Sequence, residues 1–81
     1  MNYSTNYNAK LLRNLRLSIG QNIHNHRLRK KITLKKLAVS SGISEHMLDC
    51  YELGKYEITI EHILRISCAM KMEMERLLAT E

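Results

Sequence analysis

The punctuation between residues 33 and 54 constrains this chain more than any other feature. Thr33 precedes an apolar-periodic stretch containing Leu34, Leu37 and Ala38, Gly42 follows it, Ser44 precedes a second stretch reaching Leu53, and Gly54 closes that one. Threonine and serine hydroxyls accept from amides that the start of a helix leaves unpaired, and glycine tolerates the left-handed conformation in which helices commonly end. The spacing predicts two short helices, 33–40 and 44–53, joined by a tight turn at Ser41, Gly42 and Ile43. Ala38 is small enough to let the second helix approach the first. Two helices joined in this way form a helix-turn-helix.

The rest of the chain is compatible with helix. There is no proline, strand-like alternation is scarce, and Leu, Ile, Lys, Arg, Glu and Met are abundant. Residues 1–7 lack apolar periodicity and read as a frayed tail. From Asn8 onward, Leu12, Leu15, Ile19, Ile23 and His26 fall on one helical stripe. Ser18 and Gln21 have the form of a capping box and Gly20 weakens a helix interior, so this stretch is either one helix or two that meet near Ser18. If it is one, Leu17 and Leu28 lie on its other face as candidates for a subunit contact. Thr59 is a third N-cap, ahead of a stripe of Ile60, Ile63, Leu64, Ile66 and Met70. Met74, Leu77 and Leu78 form a short last helix. The expectation is an all-α, five-helix domain, with residues 1–17 as a tail and helical extension and 18–81 as the domain proper.

Size and composition narrow the function. A chain of 81 residues buries only roughly 60% of its unfolded surface, which leaves little room for a deep catalytic cleft and makes dimerisation a natural source of extra core. The apolar runs are too short for a spanning helix or a secretory signal, so a soluble, cytoplasmic protein is expected. Cys50 and Cys68 lack Cys-x-x-Cys spacing and read as reduced thiols. His24 and His26 point to different helix faces with no carboxylate or cysteine at ligand spacing, which disfavours a metal site. With glycine only at positions 20, 42 and 54, no phosphate-cradling loop can be built, nor is there a nucleophile set beside a base. No enzyme, cofactor, metal or small-molecule substrate is expected.

The charge is unevenly placed. Residues 1–44 carry nine basic side chains and no acidic one, whereas 45–81 carry four basic and all eight acidic groups, within a formal net charge of +5. Six of the basic residues lie between Arg27 and Lys36. Such a cluster suits phosphates or another anionic surface, or serves only as a solvated face.

From about Ile19 to Leu78 the sequence resembles the phage repressor and Cro-like helix-turn-helix family, found also among restriction-modification controllers and antitoxins. The matching points begin with Ile19-Gly20, Ile23 and Arg27, then Thr33-x-x-x-Leu37-Ala38 and Gly42-Ile43-Ser44. They continue with Leu48, Tyr51-Glu52-x-Gly54-Lys55, Thr59-Ile60-Glu61, Ile63-Leu64-x-Ile66 and Leu77-Leu78. The resemblance implies a lambda-repressor-like fold that binds double-stranded DNA as a homodimer, acting as a transcriptional regulator, in particular a repressor. It also implies an ion pair between Arg27 and Glu52 that pins the third helix.

The same resemblance places Glu45, His46, Asp49 and Cys50 toward the bases. Lys30, Lys31, Lys35, Lys36, Ser44, Lys55 and Tyr56 would contact phosphates. Departures from the family pattern are Leu34 for a phosphate-contacting Gln, His26 at an apolar position, Lys31 and Lys71 for helix-ending glycines, and Ile58 for a proline. A recognition face with two carboxylates and no Arg, Lys, Asn or Gln lacks the bidentate readers of guanine and adenine, although carboxylates accept from cytosine N4. Electrostatic attraction with shallow sequence preference fits that balance, as does readout of DNA shape. The rival reading is an antitoxin-like or adaptor protein whose acidic third helix meets a basic protein partner. A membrane-surface role for residues 8–31 is weaker, because that stretch has no Trp or Phe anchor. The subunit contact is expected on the fourth and fifth helices, with the first as an accessory.

Overall fold

Asn8 starts the first helix by accepting, through its side-chain oxygen, from the amides of Lys10 at 2.9 Å and Leu11 at 3.2 Å. The computed structural model describes residues 8–80; the expected frayed tail lies outside the described residues. Five helices make up the described residues: α1 (Ala9–Arg29), α2 (Leu34–Ser41), α3 (Glu45–Glu52), α4 (Ile60–Ala69) and α5 (Met74–Leu78). No strand occurs among them.

Of the two readings of residues 8–29, the continuous helix is the one observed, and it passes through residues 17 and 18 without a break. Gly20 does not interrupt it. A side chain there would collide with the backbone oxygen of Tyr51 and come within 2.8 Å of that of Glu52, so the missing Cβ is what lets α1 and the end of α3 touch. The buried face of α1 is Ile19, Gly20, Ile23 and Arg27, at the i, i+4 repeat of one helix side. The expected stripe is corrected at its start: Leu15 is exposed and Leu12 only half-buried. The first turns of α1 extend past the helices that cover its second half, in a molecule 45 Å long and 23 by 18 Å across.

The caps fall where the side-chain chemistry places them. Thr33 Oγ1 accepts from Lys36 N at 3.0 Å, Ser44 Oγ from Met47 N at 3.1 Å, and Thr59 Oγ1 from His62 N at 3.1 Å. Gly42 turns the chain between α2 and α3 with φ of 73°, in the left-handed region. α1 packs on α3 and α5, α2 on α3 and α4, and α4 on α5. The core between them includes Ile23, Leu37, Leu48, Ile66, Met70 and Leu77. In α4, however, Ile60 and Leu64 are 76% and 51% exposed, so they do not belong to the buried stripe expected for them. Ile63, Ile66 and Met70 fill that face together with Ser67, and positions 60 and 64 lie beyond its edge.

Three helices end in the same way. Lys31 N and Ile32 N bond back to Leu28 O and Arg27 O, Gly54 N and Lys55 N to Tyr51 O and Cys50 O, and Lys71 N and Met72 N to Cys68 O and Ser67 O. This is the Schellman closure, in which one residue takes the left-handed conformation. Gly54 does so after α3; after α1 and α4 the residue is a lysine, Lys31 at φ 57° and Lys71 at φ 56°. The lysines in place of glycine leave the helix ends where the pattern predicts them, at some cost in backbone strain.

Candidate nucleic-acid interface

The site begins with the anchor of α3. Arg27 Nε donates to Glu52 Oε2 at 2.6 Å and Nη2 donates to Oε1 at 3.0 Å, while Nη1 donates to Ile32 O at 3.0 Å. The two side chains are almost out of water, at 10% and 7% exposure. The hydrogen bonds to Glu52 push the Arg27 pKa further up, against the opposing effect of burial. A bidentate pair of this kind holds the end of α3 against α1 and against the start of the α1–α2 loop.

Sequence reasoning missed two partners of this framework. His24 Nδ1 lies 2.8 Å from Glu52 Oε1, completing a three-residue cluster on the carboxylate. Its signal was present, since His24 is three residues before Arg27 and so shares its side of α1. Tyr51, buried at the α3 end, has its hydroxyl 2.6 Å from His62 Nδ1 and its ring edge-on to that imidazole at 5.6 Å between centroids. Burial pushes the Tyr51 pKa up. No local pattern links these two residues, because the α3–α4 loop brings them together.

With its inner side held, α3 turns Glu45, His46 and Asp49 to solvent. Cys50 is a correction: it is only 4% exposed. Its sulfur lies 3.7 Å from Nε2 of His46, one turn back on the same side of α3, and the imidazole covers the thiol there. Lys35 and Lys36 are exposed in the first turn of α2, whose amides begin with no intrahelical partner. Lys30 and Lys31 are exposed just before that helix, and Lys55 and Tyr56 just after α3. Ser44 is exposed, and although its oxygen caps α3, its hydroxyl proton can still donate outward. The arrangement is a helix with an acidic and imidazole face, bordered by cations and donors. On the far side of the turn, Arg65 Nη1 donates to Ser41 O at 3.3 Å and its Nε to Glu61 Oε2 at 2.9 Å, tying α4 to the turn.

Solved structures share this fold. The chain has the phage repressor and Cro-like helix-turn-helix fold. The restriction-modification controller protein C.AhdI from Aeromonas hydrophila superposes with a TM-score of 0.75 at 24% identity, over 76% of this chain and 94% of that one. The clp gene regulator ClgR from C. glutamicum does so with a TM-score of 0.76 at 28% identity, over 79% of this chain and 83% of that one. A hypothetical transcription factor, NHTF, from Neisseria gives 0.76 at 22% identity, over 80% and 75%. No protein-family model and no curated protein matches the sequence. Among the described residues of this Cro-like fold, no helix is long and apolar enough to cross a membrane.

Proposed function

We propose that this chain is a DNA-binding transcriptional regulator, a repressor that binds a two-fold symmetric site as a homodimer. The observation that carries this reading is α3 itself, open to solvent at Glu45, His46 and Asp49 and clamped from behind by Arg27 on Glu52. A helix that enters the major groove has to be free on one face and immobile on the other. Lys30, Lys31, Lys35, Lys36, Ser44, Lys55 and Tyr56 meet phosphates in this reading, and Glu45, His46 and Asp49 face the bases. The likeness to two proteins described as a controller and a gene regulator supports it. Residues 18–81 act as the DNA-binding domain, residues 1–17 as its extension, and the protein works in the cytoplasm without catalytic activity.

Phosphate contacts dominate the energetics. Each neutralised phosphate adds about 0.9 to the slope of log affinity against log salt. Fluorescence anisotropy of a labelled duplex at two salt concentrations measures that slope directly. The double change Lys35→Glu with Lys36→Glu should abolish duplex binding and leave the helical circular dichroism intact. Undiminished binding by that variant would refute the phosphate face. A second reading rests on the two exposed carboxylates of α3: a partner protein with a basic groove would meet Glu45 and Asp49. It predicts that Glu45→Gln with Asp49→Asn strengthens duplex binding while abolishing the protein complex.

A further inference from the structure

α1 also carries a polar, basic face away from α3. On the side turned away from Arg27 and α3, it forms with α5 and the segment after it a cavity of about 290 Å³, lined by Asn22, Asn25, His26, Arg29, Arg76 and Ala79. Asn22 builds its wall, donating from Nδ2 to Leu77 O at 2.8 Å and to Ala79 O at 2.7 Å, which holds the end of α5 against α1. Asn25 Oδ1 already accepts from Gln21 Nε2 at 3.0 Å, so its amide N–H groups remain to donate. Two guanidinium groups and an imidazole complete the lining, and no acidic side chain is part of it. Among the described residues neither Arg29 nor Arg76 makes an ion pair.

We propose that this cavity binds a small phosphate-type dianion, held by the Arg29 and Arg76 guanidinium groups with Asn25 and His26 as further donors. Planar guanidinium forks suit tetrahedral oxyanions in bidentate geometry. The groove is small and open to solvent, so a single anionic group between the two arginines is the recognised feature. The groove continues along α1 past Ser18 and Gln21, which are uncharged, so nothing there extends the site into a track for a polyanion. His26 reports on occupancy. Burial first, then the charges of Arg29, Arg76 and Lys30, hold its pKa below 6.5 in the free protein, and a bound anion opposes those charges. The site does not depend on the DNA-binding reading, because it uses neither α2 nor α3.

The test is an NMR titration of the full chain with inorganic phosphate at constant ionic strength, following the His26 ring and the backbone amides of α1 and α5. The expected result is a saturable shift at His26, Arg29 and Arg76 with a rise in the His26 pKa. Arg29→Gln with Arg76→Gln should weaken phosphate affinity at least about tenfold, with the helical signal unchanged. Any of these outcomes would overturn the proposal: a linear, non-saturating response, shifts confined to residues 30–36, or wild-type affinity in the double variant. Loss of duplex binding in that variant, with no phosphate response in the wild type, would make these arginines part of the DNA surface and equally refute it.

Discussion

Arg27 gives both Glu52 oxygens a hydrogen bond, and both side chains are almost out of water. Removing one partner from such a pair strands a buried charge, which costs about 3 kcal/mol. Arg27→Ala should therefore lower the melting temperature by more than about 10 °C in a domain of this size. An unchanged thermal transition by circular dichroism would show that the pair does not anchor α3. His26 carries the opposite kind of energy. Because its folded pKa lies below the ordinary 6.5, the unfolded chain takes up this proton at higher pH than the folded one does. Stability is then complete above pH 6.5 and falls as the pH drops below it, levelling off only once the folded His26 is itself protonated. His26→Gln should reduce the loss of melting temperature between about pH 7.5 and about pH 5.5. An identical loss in both proteins would assign the acid sensitivity to other groups.

Helix boundaries follow from single side chains, and α4 shows how far this goes. Thr59 caps its start, and its end closes on Lys71, a lysine held in a conformation that costs an L-residue roughly 1 kcal/mol and a glycine almost nothing. Lys71→Gly should raise the melting temperature by about 4 °C or more. A decrease would mean that the lysine side chain contributes more than its backbone loses. The element start sites at Thr33, Ser44 and Thr59 and the left-handed turn at Gly42 were legible because each rests on a hydrogen bond or a torsion local to a few residues. The faces were less legible. The resemblance puts Cys50 with Asp49 on the outward side of α3, yet Cys50 is buried; the apolar stripe of α4 groups Leu64 with Ile63, yet Leu64 stays half exposed. Periodicity says which residues share a side, and the neighbouring element decides how wide the buried side is.

Across the assembled domain, Ile60, Leu64 and Cys68 stand one turn apart on α4, all exposed. An apolar strip left open on a helix is a natural place for a second subunit, and it supports placing the proposed dimer contact on α4. Leu64→Glu should give a monomer by sedimentation equilibrium while keeping the helical signal, and should weaken duplex binding because one half-site is lost. A variant that still sediments as a dimer would move the contact elsewhere, Leu17 and Leu28 on α1 being the exposed alternatives. The charge layout belongs to the same level: the basic first half supplies α1 and α2, the acidic second half supplies the outer face of α3, and their junction is the helix-turn-helix.

Residue order alone sufficed for the helical class, the two short helices and their turn, since caps, glycines and apolar periodicity act over a few residues and need no distant partner. Three-dimensional packing settled what depends on elements far apart in the chain. Gly20, which read as a weak point of a helix, is the contact that admits the end of α3; His24 joins Arg27 on Glu52; Tyr51 meets His62. Arg29 and Arg76, 47 positions apart, line one cavity. Such pairings arise from the closing of loops between helices, a long-range condition that no local spacing encodes.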